Sequence, residues 1–250
     1  MMVLMSDEAA VLEIPDDAPR AVELVLAIRG GDTETVRRHL AADPGLARAV
    51  IGDRKGCRTL LHVVADWPGY FPKGPELVHL LIGAGADPSF RDPARCDETA
   101  LHWAASSDDV DVAAALIDGG ADLDVPGGSI GTPLANAVGY GCWHVARLLV
   151  ARGARIGTLW QAAALADWAA VDGFLEGDPP PGSGEIDAAF WQACHGGQRR
   201  MAEYLLAQGA NINAIPDYAG QQTALGAAGS VGTQRQALVD WLKERGAAEG

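Results

Sequence analysis

Apolar residues recur at helical spacing along nearly the whole chain, in short paired segments separated by turns. Leu24, Ala27 and Ile28 form the first stripe. Gly30-Gly31 interrupts it, Asp32 can cap a second helix carrying Val36 and Leu40, and Asp43-Pro44 stops that helix. The same helix, turn, helix alternation restarts near Thr59, Thr99, Thr132, Gly157, Ala188 and Thr223, so seven helix pairs account for the chain. One terminator closes the second helix of several pairs. It appears as Gly85-Ala86-Asp87, Gly120-Ala121-Asp122, Gly153-Ala154-Arg155, Gly209-Ala210-Asn211 and Gly246-Ala247. A glycine there predicts a left-handed residue at the helix C-terminus.

Each pair opens on a related phrase. Thr99 to Ala105 reads Thr-Ala-Leu-His-Trp-Ala-Ala, Thr59 to His62 reads Thr-Leu-Leu-His, and Thr132-Pro133-Leu134 and Thr223-Ala224-Leu225 repeat its start. This resembles the Thr-Pro-Leu-His-x-Ala-Ala signature of the ankyrin repeat, whose units cannot bury their apolar faces alone and stack on neighbours. The resemblance implies an all-α ankyrin-repeat solenoid of about seven helix-turn-helix units with irregular fingers. It forms a single domain over residues 20–248, behind a flexible acidic arm over residues 1–19. It also gives Thr59 with His62, and Thr99 with His102, a structural role at the turn rather than a general-base role.

Three stretches depart from the family pattern. Asp66 to Gly74 is a longer inter-helix loop with Trp67, Tyr70 and Phe71 in it. The step from Thr132 to Gly157 is 25 residues against a family period of about 33, so the finger at Arg155-Ile156-Gly157 is nearly absent. In units five and six Trp160 and Trp191 replace the signature histidine, each followed by glutamine, and Asp178 to Gly184 is a proline-rich loop.

Composition narrows the function. The chain has 48% apolar residues and a mean hydropathy of +0.04, enough for a core, and no apolar run long enough to span a membrane. Its net charge is -14, with the acidic excess concentrated before residue 126, which disfavours nucleic acid. Cys57, Cys96, Cys142 and Cys194 lack metal-site spacing and read as reduced thiols of a cytoplasmic protein, without metal or cofactor.

In an ankyrin stack the first helices line a concave face beside the fingers. On that resemblance the candidate binding residues are Asp66, Trp67, Trp103, Ser106, Asn136, Tyr140, Gln161, Gln192 and His195, a line of aromatic and hydrogen-bonding groups. Trp143, Trp168 and Trp241 fall at second-helix positions and read as core. Cys194 and His195 are adjacent and leave a helix about 100° apart, a poor dyad; Gly127 to Gly131 lacks a P-loop lysine and reads as a turn. The favoured function is a non-catalytic module that binds a protein or peptide through the concave face and fingers. The alternative is a small-molecule or catalytic pocket at repeats 3 to 6, using Asp66, Trp103, Tyr140, Gln161, Gln192 and His195.

Overall fold

The computed structural model describes residues 12–52, 56–229 and 236–248, and its contacts divide the chain into two compact units, Met1–Pro133 and Leu134–Gly250. Both units are built of helix pairs, as the repeat pattern requires.

In the first unit α1 (Pro19–Gly30) and α2 (Thr33–Ala42) form the opening pair, with the Asp32 carboxylate accepting from the Thr35 amide at 3.0 Å. The next pairs are α3 (Leu60–Ala65) with α4 (Gly74–Gly83), and α5 (Ala100–Ser106) with α6 (Val110–Asp118). Leu24, Ile28, Leu60, Leu61, Leu77, Leu81, Leu101 and Leu116 are fully buried between them. Each such side chain contributes roughly 1.5–3 kcal/mol of transfer free energy, which is why short helices with few internal bonds hold together here.

Three short strands adjoin these helices, an addition to the all-helical expectation. β1 (Glu13–Ile14) runs parallel to β2 (Val50–Gly52), which pairs antiparallel with β3 (Cys57–Thr59); Ile14 lies opposite Ile51. The arm expected to be loose over residues 1–19 therefore differs from Glu13 onward. Ile14 is buried, the Glu13 carboxylate meets Arg95 at 2.9 Å, and α1 begins at Pro19. Pairing with the buried Val50 and Ile51 supplies the backbone partners and apolar cover that a polar arm lacks. Residues 1–11 of that arm lie outside the described residues.

The second unit contains α7 (Pro133–Gly139), α8 (Trp143–Ala151), α9 (Leu159–Leu165), α10 (Trp168–Leu175), α11 (Ser183–His195), α12 (Arg199–Ala207), α13 (Ala224–Ala228) and α14 (Gln236–Glu244). Its core is centred on Phe190, with Val171, Met201, Leu205, Leu238 and Leu242. The fingers before α5 and α7 are closed by the bridges Asp92 to Cys96 and Gly127 to Gly131, but only Arg152 to Thr158 separate α8 from α9. The proline-rich stretch is shorter than expected. Ser183 and Gly184 already belong to α11, because Glu185 in its first turn accepts from the Gly182 amide at 2.9 Å and caps the helix early.

All five terminator glycines have positive φ, at 101° for Gly85, 93° for Gly120, 95° for Gly153, 97° for Gly209 and 79° for Gly246. The reversal lets the following alanine amide reach back into the last turn: Ala86 to the Leu81 carbonyl at 3.0 Å, Ala121 to Leu116 at 3.0 Å, Ala154 to Leu149 at 2.9 Å. Those carbonyls would otherwise lack partners. Ala86, Ala121 and Ala154 are buried by the same turn, which explains the small residue after each glycine.

Candidate binding face

The first helices are positioned by a polar device at their N-termini. Thr59 Oγ1 accepts from the His62 amide at 3.4 Å while His62 Nδ1 accepts from the Thr59 amide at 3.2 Å and lies 2.8 Å from the Thr59 hydroxyl. His62 Nε2 then donates to the Glu98 carbonyl at 2.9 Å, one residue before the next threonine. The arrangement repeats at Thr99 and His102, whose Nε2 donates to the Gly131 carbonyl at 3.0 Å. Both rings are buried, and burial pushes His62 down to about 4 and lowers His102. With Nδ1 accepting and Nε2 donating, the neutral rings are tied on both edges and neither is free to act as a general base.

The same position in α11 holds Trp191. Its Nε1–H donates to the Gln222 carbonyl at 2.9 Å, again one residue before the threonine of the next pair. An indole has a donor and no acceptor, so Trp191 keeps the bond between pairs that the histidines make and gives up the local one to its own turn.

Upon this frame the predicted face divides by exposure. Trp67 is 78% exposed and Tyr140 61% exposed, both projecting beyond their helices. Trp103 is half-buried, its ring edge-on to His62 with centroids 5.0 Å apart. Asp66 is held in ion pairs with Arg29 and, at 3.9 Å, with Arg58. Ser106 donates to the His102 carbonyl of its own helix at 2.9 Å.

Asn136, Gln161 and Gln192 are buried, unlike the groove-lining groups the pattern led us to expect. Gln161 Oε1 accepts from the Gly157 amide at 2.8 Å, just before α9. Gln192 lies 3.3 Å from His195 Nδ1 through Oε1 and donates to the Tyr218 hydroxyl at 3.5 Å. The amides of Gln161 and Gln192 are thus used within the unit.

His195 is half-buried between two indoles, with ring centroids 5.2 Å from Trp143 and 5.2 Å from Trp191. Burial lowers its proton affinity. Gly141 makes this approach possible: a β-carbon there would stand 3.2 Å from His195 Nε2, and its φ is 72°. Tyr218, 58% exposed, is edge-on to Trp191 at 5.9 Å and extends the cluster to the surface. Trp143 and Tyr218 were not among the candidates, since neither occupies a first helix; the aromatic in the finger Asp217-Tyr218-Ala219-Gly220 was the available signal.

Of the three tryptophans read as core, Trp241 is buried, Trp143 is half-buried and Trp168 is 44% exposed. Trp168 opens α10 after the two residues that follow α9, where its ring lies tilted beside Tyr204 at 5.6 Å and borders an open cleft of about 500 Å3 with Arg147, Leu165 and Asp167. Cys194, next to His195 in sequence, is fully buried, and burial pushes its thiol up, away from the thiolate a nucleophile needs. Among the described residues no group of three or more His, Cys, Asp and Glu side chains is placed to hold a metal ion, and no helix is long and apolar enough to cross a membrane.

Short helix pairs, threonine-histidine boxes that tie one pair to the next, and a positive-φ glycine after five of the second helices define a stacked-repeat protein. The chain belongs to the ankyrin repeat family: the family model for ankyrin repeats in 3 copies matches residues 61–158, and that for a single ankyrin repeat matches residues 187–217, together just over half the chain. Among solved structures it is similar to the ankyrin repeat domain of Bcl-3, described as a unique member of the IkappaB protein family. That similarity has 24% identity and a TM-score of 0.48, over 90% of this chain and 86% of that one. It is also similar to the human ASB11 ankyrin repeat domain, with 24% identity and a TM-score of 0.42 over 76% and 71% of the respective chains. No curated protein matches the chain. Ankyrin repeat domains are in general protein-protein interaction modules.

Proposed function

We propose that this protein is a non-catalytic interaction module that binds a protein or peptide through Trp67 and Trp103 of the first unit and Tyr140 and His195 of the second. Asp66 and Ser106 in the first unit, and Gln161 and Gln192 in the second, are held by bonds within their own unit. The observation that carries the reading is the exposure of Trp67 and Tyr140, at 78% and 61%, on helix ends whose other apolar groups are buried. Large aromatics with a polar tip supply contact area at little rotamer cost, which is the chemistry of interface anchors. His62 and His102, the signature histidines, are engaged in the repeat frame. We extend the reading to a single binding domain over residues 20–248, acting in the cytoplasm.

The test is co-purification from native cell extract with wild type and with a Trp67→Ser, Tyr140→Ser double variant, followed by mass spectrometry of the protein and small-molecule fractions. A protein retained by wild type and lost from the folded variant is the expected result. Loss of a small molecule instead, or identical protein recovery from both, overturns it.

A further inference from the structure

Cys57 and Cys96 are 39 positions apart in sequence and adjacent in the first unit. Cys57 opens β3, and its amide donates to the Arg95 carbonyl at 3.4 Å, which lays the strand against the turn that ends in Cys96. That turn is closed by reciprocal bonds between Asp92 and Cys96, at 2.8 and 2.6 Å. The two thiol side chains come close enough to interact, and Cys96 Sγ lies 3.8 Å from His62 Nε2. Cys57 is part-exposed at the rim of a cleft of about 460 Å3 that Arg58, Arg95 and Trp103 also line, whereas Cys96 is buried beneath it.

We propose that Cys57 and Cys96 are a dithiol pair that a low-molecular-weight disulfide converts into an intrachain disulfide. The exposed Cys57 thiolate attacks one sulfur of the oxidant; the oxidant's S–S bond breaks, and the departing thiolate takes up the proton that Cys57 gave up. The Cys96 thiolate then attacks the Cys57 sulfur of the mixed disulfide and expels the second small thiol, which takes up the Cys96 proton. Two protein thiols are oxidised, and one small disulfide is reduced to two thiols. The product joins β3 to the turn before α5 and encloses α3 and α4 in a covalent loop, beside the half-buried Trp103. Burial raises the Cys57 thiol and pushes Cys96 up to about 12. Thiolate supply thus limits the rate, so the reaction is slow at neutral pH and accelerates as pH rises.

The full chain, folded, is incubated with oxidised glutathione over a series of pH values, quenched, alkylated, digested without reductant and analysed by mass spectrometry. The expected result is a Cys57-to-Cys96 linked peptide that disappears on reduction and forms faster at higher pH, with Cys142 and Cys194 alkylated. In a Cys96→Ser variant the reaction stops at a glutathione adduct on Cys57. Wild type that retains a Cys57 adduct without the linked peptide, or that keeps all four thiols alkylatable across the series, overturns the proposal.

Discussion

Acidification should weaken this fold through His62, by an amount the structure supplies. The native ring is held down to about 4, because it is buried and its Nδ1 accepts from the Thr59 amide. Protonation would set an N–H against an N–H there, whereas in the unfolded chain the ring titrates near its ordinary value of about 6.5. The folded value is below the unfolded one, so between them the unfolded state binds the extra proton and stability falls as pH falls. Taking the unfolded value as about 6.5 and the folded value as about 4, linkage gives a loss of about 2 kcal/mol on going from about pH 7.5 to about pH 5. The loss approaches about 3 kcal/mol near pH 4. His102, lowered for the same reason, adds in the same direction.

The assay is urea unfolding across this range for wild type and His62→Leu, with the His62 Cε1–H resonance followed in parallel. The variant starts lower at neutral pH, because the Thr59 amide and Glu98 carbonyl lose a partner, but its loss on acidification is smaller than that of wild type by about 2 kcal/mol. Identical pH slopes in the two proteins, with the His62 resonance titrating near its ordinary value, would refute the reasoning.

Other substitutions probe the same frame. Trp191→Phe leaves the Gln222 carbonyl without its indole donor and should cost about 1–3 kcal/mol in denaturant unfolding; an unchanged midpoint would show that the bond between pairs does not matter. Thr99→Val removes the hydroxyl next to His102 Nδ1 and should lower stability by about 1 kcal/mol. Gly120→Ala meets no atom within 4 Å, so its cost, about 1–2 kcal/mol in thermal unfolding, should come from the 93° φ alone. Trp67→Ser and Tyr140→Ser should each change stability by less than about 0.5 kcal/mol while weakening partner capture; a large destabilisation would assign them to the fold instead.

The frame was legible in the residues because its interactions are local. A threonine that caps a helix and a histidine three residues on meet in the same turn, and a glycine after a helix needs only its own backbone to reverse the chain. The seven starts and the five terminators could therefore be read from the residues, and the resemblance to the ankyrin signature gave His62 and His102 their structural duty. The face was less legible. Period placed Trp67, Tyr140, Gln161 and Gln192 at related positions, but which of them meets solvent depends on what packs against each helix. Two are exposed aromatics and two are buried amides bonded inside their unit.

By itself the sequence determined which segments are helices, where each ends and that the pairs must stack, since caps, terminators and apolar period are properties of a few consecutive residues. Only the tertiary structure decided that Glu13 and Ile14 join a sheet, that Trp191 takes over a histidine's bond to the next pair, that His195 sits between two indoles and that Cys57 touches Cys96. Each of those contacts joins groups from separate elements, and their distance is set by how neighbouring helices and strands pack, which no short stretch of chain encodes.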